Sequence, residues 1–234
     1  MNEILNILTN NIFFGIIITL LTYSLGKLIN KKTGITILNP FLIAMLALMT
    51  LIILLEIPLV NYMKGAKYLE YMLPVSILLL ALPLYRQRTK LQSHKLAILA
   101  GITAGVFTSI ISTIILCRLF NIDESLLRSL LPRSITTPLG LLMVEGINGI
   151  SGITMIAIVF NGVSGVLIYA PIYTLFRIHD PVARGIAMGT VSHAIGTAKA
   201  MEMGEVIGAM SGLAIVLAGL ITVATYPLIN LILN

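Results

Sequence analysis

Charge is what this sequence has least of. Asp, Glu, Lys and Arg supply 10% of its 234 residues, against about 25% in a soluble domain. A soluble α/β domain with buried strands needs a charged surface, so that class is set aside. Cysteine is nearly absent as well. The lone Cys117 rules out an intramolecular disulfide and says nothing of the redox compartment. No Walker motif, metal-ligand cluster, Ser–His–Asp arrangement, haem signature or flavin signature occurs, so neither an enzyme nor a resident cofactor or metal is expected. The opening stretch MNEILNILTNNIFFG lacks a basic n-region and a small-residue cleavage site. It reads as an uncleaved first helix.

What is present is hydrophobic: 58% of residues, with a mean hydropathy of +1.03. That composition predicts a polytopic membrane protein, with 1–234 as a single transmembrane domain. A crossing helix needs about 20 apolar residues. Runs 4–26, 33–55, 96–117, 146–176 and 206–234 meet this, and Asn39-Pro40 opens the second. Run 71–85 is shorter, but snorkelling side chains at 67–70 extend it to a sixth crossing. Two further runs, 134–144 and 185–198, are too short and are interrupted by polar residues.

The net charge of +6 comes from cations in short clusters between apolar runs. They read as topology determinants rather than as a nucleic-acid patch. Lys27, Lys31 and Lys32 follow the first run, and Arg86, Arg88, Lys90 and Lys95 follow the third. Both loops are expected on the cytoplasmic side, with the N-terminus outside. Segment 125–148 then either crosses, leaving loop 177–184 outside, or dips in and returns, leaving it inside. Arg177 and Arg184 against one Asp180 favour the re-entrant alternative.

The two polar interruptions align. RSLLPRSITTPLG (128–140) lies over RGIAMGTVSHAIG (184–196) without a gap. Ser134 matches Thr190, Thr136 matches Ser192, Thr137 matches His193, and Gly140 matches Gly196. After four extra residues in the second copy, EGINGISGI (145–153) lies over EVIGAMSGL (205–213). The expected units are 128–176 and 184–232, each a broken polar segment followed by a full span. With one re-entrant segment and one crossing apiece, the copies insert from opposite faces and their tips approach the midplane. That design holds substrate between discontinuous helices in secondary transporters. Pro138, Gly140, Gly185, Gly189 and Gly196 are expected to supply the breaks. Backbone N–H groups freed at half-helix N-termini favour an anion.

The candidate residues each carry a plainer alternative. Ser134, Thr136, Thr137, Thr190, Ser192 and Thr197 can donate to a carboxylate, or they can back-bond to helix carbonyls. His193, the one histidine inside an apolar segment, can hold substrate or a proton, or can be a neutral ring bonded to a carbonyl. Arg133 and Lys199 can pair an organic anion, or snorkel. Glu145, Glu202 and Glu205 are expected to be solvated rather than coupling carboxylates, and His94 and His179 to be surface loop residues. The glycines at 101, 105, 152, 162, 165, 208, 212 and 219 fall within helical runs and read as close-packing positions.

At these residues the sequence resembles the LrgB/CidB family of bacterial membrane proteins nearly end to end. The resemblance is carried by LNPFLIAM (38–45), the stretch 62–87, LLPRSITTPLG (130–140) and the stretch 183–214. Two of these are similar to the family patterns LPKSVTTP and GTASHAxGTARA. Arg133 stands where Lys is usual, Lys199 where Arg is usual, and Gly140 where Ala is frequent. The resemblance implies residence in the bacterial cell membrane and one of two functions. One is transport of small monocarboxylates such as glycolate, pyruvate or lactate. The other is antiholin- or holin-like modulation of murein hydrolase export and autolysis. A smaller LrgA/CidA-type membrane partner accompanies either.

The expected protein is thus an all-α integral membrane bundle with six crossings and two broken or re-entrant segments in an inverted internal repeat. The bilayer surrounds it, a small organic anion is its ligand, and a homodimer is its expected assembly. A coupling ion, H⁺ or Na⁺, is expected without assigned residues.

Overall fold

The computed structural model describes residues 2–34, 38, 40–72, 75, 85, 89, 92 and 95–233. Among them every regular element is helical, and no strand occurs. Among the described residues, four helical stretches are long and apolar enough to cross a bilayer: Ile12–Thr33, Lys95–Leu119, Ser151–Leu175 and Glu205–Leu231. The expected crossing at 71–85, the loop cations Arg86, Arg88 and Lys90, and His94 lie almost wholly outside the described residues.

The chain forms two compact units, Met1–Leu79 and Leu80–Asn234. In the first, α1 (Asn2–Thr9) and α2 (Ile12–Thr33) divide the run read as one span over 4–26. The division is local chemistry. The Asn11 side chain accepts from the Phe14 N–H at 2.9 Å and starts a new helix at Ile12. The helix then continues through Lys27, Lys31 and Lys32 to Gly34, whose φ of 64° closes it. These lysines are therefore the last turns of the helix and not a loop, and lysine is favourable at that negative pole.

α3 (Pro40–Leu54) has 15 residues where 33–55 was expected. At 1.5 Å per residue it is about 22 Å long, short of a hydrocarbon core of about 30 Å. α4 (Leu59–Glu70) crosses α2 at two facing glycines. A Cβ on Gly15 would stand 2.2 Å from the Tyr62 carbonyl oxygen, and one on Gly65 2.1 Å from that of Ile12. Buried Asn61 completes the junction, donating to Asn6 Oδ1 at 2.8 Å and to Thr9 Oγ1 at 3.1 Å.

The second unit begins with α5 (Lys95–Leu119) and then α6 (Glu124–Leu130), a 3-10 turn (Leu131–Ser134) and α7 (Thr137–Gly146). It continues with α8 (Ser151–Leu175), α9 (Pro181–Met203), α10 (Glu205–Ala224) and α11 (Tyr226–Leu233). Its core forms around α10, where Ala209, Met210 and Ala214 are fully buried against Ile98, Ile102 and Val106 of α5. Large apolar side chains point outward, Phe160, Ile156 and Leu175 of α8 among them, as a lipid-facing surface requires.

The glycines at 185 and 189 do not break the helix, contrary to the expectation from sequence. They lie inside the first half of α9 and let its backbone touch that of α10. Cβ atoms there would stand 2.4 Å from Ile207 O and 2.2 Å from Ser211 O. This is small-residue packing, in which the missing side chain permits close approach. Gly189→Ala is therefore expected to cost about 1–3 kcal/mol, read as thermal unfolding in detergent. Gly152→Ala should be silent, since a Cβ there meets nothing within 4 Å. Equal responses from the two variants would refute the packing account.

Candidate functional site

Both polar stretches are helices that stop and restart. In the first, the 3-10 turn ends at Ser134, and Ile135 and Thr136 are extended (ψ 175° and 148°). α7 then begins with Pro138 in its first turn, where the missing N–H costs nothing. In the second, α9 is capped by Asp180, which accepts from the Ala183 N–H at 2.8 Å. It is interrupted at His193, whose backbone (φ 39°, ψ −131°) is not helical. That conformation is one a side chain rarely adopts, and it costs about 1–3 kcal/mol. The break thus falls on a histidine.

The contacts give the course of each stretch. In α9, Gly185 lies against Ile207 and Gly189 against Ser211, so the first arm runs alongside α10 in the same direction. Beyond His193 the order reverses. Thr197 meets Ser211 and Met201 meets Gly208. Residues 185 and 201 therefore share one level, and 189 and 197 another. α9 folds back on itself with His193 at its tip. Gly196 permits the tightness, because a Cβ there would stand 2.7 Å from Met188 O.

The first stretch follows the same course from the other end of α8. Ser129 takes the Ile150 N–H on its Oγ at 2.7 Å and the Thr154 hydroxyl on its carbonyl at 2.8 Å. Further along, Pro132 and Gly140 adjoin one another, Gly140 against Ile158 Cδ1. α7 then returns to Gly149, beside Ser129. The base of this hairpin is at the N-terminal end of α8. The base of the second is at the C-terminal end, where the Tyr173 hydroxyl donates to Arg184 O at 2.8 Å.

The tips converge on two helices. On α8 they share Ile158, which Gly140 touches and whose carbonyl accepts from His193 Nε2 at 2.9 Å. A carbonyl only accepts, so Nε2 carries the proton. On α5, Ser134 Oγ lies 2.6 Å from Ser109 Oγ, and the Thr190 methyl fills the notch at Gly105. Gly105 and Ser109 are four residues apart, about 6 Å along the axis. The aligned residues Ser134 and Thr190 thus sit about one turn apart.

The second tip is set into glycine notches. A Cβ on Gly162 would stand 2.9 Å from the His193 ring, and one on Gly165 1.8 Å from Ser192 Oγ. Thr190 and Ser192 are 4% and 1% exposed, and neither hydroxyl has a hydrogen-bond partner among the described residues. Such groups are costly unless something satisfies them. At the first tip, Arg133, Thr136 and Thr137 are half-buried, and their side chains have no hydrogen bond or ion pair among the described residues. A cavity of about 530 Å³ runs between α5 and the first arm of α9, from Asp180 to Thr190 and Val191.

The structure therefore brings Arg133, Ser134, Thr136, Thr137, Thr190, Ser192 and His193 to the two tips. Thr197 is one turn away, its hydroxyl 2.6 Å from Ser211 Oγ. Lys199 lies toward the base, paired with Glu202 at 3.0 Å. Glu145, Glu202 and Glu205 are exposed. Among the described residues no cluster of His, Cys, Asp and Glu could hold a metal ion. Ser109, Ser211, Asn161 and the notches at Gly105, Gly162 and Gly165 escaped the sequence analysis as site residues. Asn161 had a signal, being the one side-chain amide in a 25-residue apolar helix.

A family model for the LrgB-like family matches residues 19–232, both hairpins included. The chain belongs to the LrgB-like family. The Antiholin-like protein LrgB of Bacillus subtilis (strain 168) is 33% identical over 216 residues, covering 92% of this chain and 94% of that protein. The Antiholin-like protein LrgB of Bacillus cereus (strain B4264) is 33% identical over 217 residues, with the same coverage of each chain. No solved structure matches. The family stretch LLPRSITTPLG is the tip of the first hairpin, and GTVSHAIGTAKA turns the tip of the second. The LrgB-like relatives are bacterial, and multiple candidate spans agree with residence in the cell membrane.

The Thr197–Ser211 hydroxyl pair tests how the returning arm is held. Thr197→Val alone strands a buried Ser211 hydroxyl and is expected to cost about 1–3 kcal/mol, whereas Thr197→Val with Ser211→Ala removes both groups and costs less. A double-mutant cycle on unfolding in detergent reads the coupling, and strict additivity would show that the two hydroxyls do not interact.

Proposed function

We propose that this LrgB-like protein is a secondary transporter of small monocarboxylates, with the anion held between the two hairpin tips. In this reading 128–176 and 184–232 are inverted copies whose hairpins re-enter from opposite membrane faces. The observation that carries it is the meeting of both tips at Ile158 from opposite ends of α8, beside two buried hydroxyls without partners among the described residues.

The chemistry suits an anion. α7 and the returning arm of α9 each begin at a tip, and a helix start presents roughly half a positive charge with unpaired N–H groups. Thr136 and Thr137 add hydroxyl donors at one tip, and Thr190 and Ser192 at the other. Hydrogen bonds to a charged group contribute about 1.5–3 kcal/mol each, so a few of them offset the desolvation of one carboxylate. Arg133, half-buried and without an ion-pair partner among the described residues, supplies the countercharge. Alternating access follows when one hairpin and then the other parts from the site.

The names of the LrgB-like relatives favour a second reading, antiholin-like control of autolysis. The two differ in what passes the membrane. Proteoliposomes holding the protein, alone or with a smaller LrgA-type partner, are expected to take up labelled pyruvate, glycolate or lactate saturably. Thr137→Ala should lower uptake roughly tenfold, the equivalent of one charge-assisted hydrogen bond. Absence of uptake together with leakage of a trapped dye would favour the second reading.

Topology has its own test. With Cys117 replaced, a cysteine at Asn121 is expected to label only from outside the cell and one at His179 only from inside. Labelling of both from the same face would sink the opposed arrangement of the hairpins.

A further inference from the structure

Asn161 sits near the middle of α8 and is its one side-chain amide. An amide at membrane depth requires a partner. Its Nδ2 donates to the carbonyl of Val191 at 2.5 Å, two residues before the break in α9. A helix that stops there leaves its last carbonyls without donors of its own. The His193 ring makes the reverse bond, donating to the carbonyl of Ile158 at 2.9 Å. α8 and the second tip thus exchange hydrogen bonds in both directions. The two bonds are anchored at 158 and 161 on α8 and at 191 and 193 on α9. They hold the chain just before and at the strained backbone of His193, and such a conformation persists only where its surroundings hold it.

We propose, on the reading that the chain moves a small carboxylate, that Asn161 is a positioning residue whose amide passes from Val191 O to the incoming carboxylate and so releases the tip of the second hairpin. A carboxylate accepts roughly twice as strongly as a neutral carbonyl, so the exchange favours the ligand. Val191 lines the cavity that reaches the tip and is 48% exposed, so a ligand arriving there comes to the residue whose carbonyl holds Asn161. Once Asn161 turns away, one of the two clamps on the strained turn is gone. Occupancy and movement of the tip become coupled, because the ligand binds the released state with a bond that the latched state lacks.

The test uses the full-length protein in liposomes, with Cys117→Ser removing the native thiol and Val191→Cys reporting on the tip by its rate of maleimide labelling. Without ligand, adding Asn161→Leu is expected to raise that rate two- to tenfold, as loss of one hydrogen bond does. In the parent, saturating pyruvate or glycolate raises the rate. In Asn161→Leu it does not, and Asn161→Gln, which keeps the amide, restores part of the response. Asn161→Ala replaces Asn161→Leu if the latter does not fold. Equal ligand-free rates in the parent and the amide-less variants would overturn the latch. An amide-less variant that still responds to ligand as the parent does would overturn the exchange. Faster ligand-free labelling in a protein that takes up no carboxylate would overturn transport and the carboxylate trigger, while the hydrogen bond to Val191 would stand.

Discussion

A helix interrupted in an apolar interior strands N–H and C=O groups where water does not reach, and the packing around the second break answers that constraint. Lipid offers no hydrogen bonds, so irregular backbone survives at membrane depth only inside protein or beside a wet cavity. His193 is the sharpest instance. Its backbone leaves the helix at a positive φ, and its own ring bonds the carbonyl of Ile158 on the neighbouring helix. The break is therefore held by the residue that makes it. Asn161 satisfies the carbonyl two residues earlier.

The two tips are secured differently. The second is pressed into notches at Gly105, Gly162 and Gly165, and its Thr190, Ser192 and His193 are all buried. The first rests on Ser109 through one hydroxyl pair, and its Arg133, Thr136 and Thr137 stay half-exposed. Two aligned sequences have thus acquired unequal surroundings, because α5 and α8 present glycines to one and a serine and an isoleucine side chain to the other. The aligned arginines diverge likewise. Arg128 donates to Ile147 O and pairs with Glu124, whereas Arg184 donates to Ile178 O and stacks on Tyr173.

Much of the site was readable from the chain because its signals were local. Proline, hydroxyls and a histidine in an oily run mark a discontinuity wherever the run goes. The breaks at 135–136 and 193 fall within a residue of each other in the gapless alignment. The misassignments had local causes too. Glycine is ambiguous, since it serves both turns and close packing, and at 185 and 189 packing was the answer. At Asn11 a side-chain cap outweighed the hydrophobic run and divided it, starting α2 at Ile12.

By itself, the sequence determined that the chain is helical, apolar and built for lipid, and that two stretches must break. Those properties follow from composition and from residue chemistry at single positions. Tertiary structure alone decided which polar groups are spent and which remain available. Thr197 lies within hydrogen-bonding distance of Ser211 and Lys199 pairs with Glu202, while the Thr190 and Ser192 hydroxyls stay unpaired among the described residues. A hydroxyl looks the same in sequence whether or not a neighbour bonds it. Only the packing of α5, α8 and α10 around the hairpins brings that neighbour within 3 Å or leaves a glycine in its place.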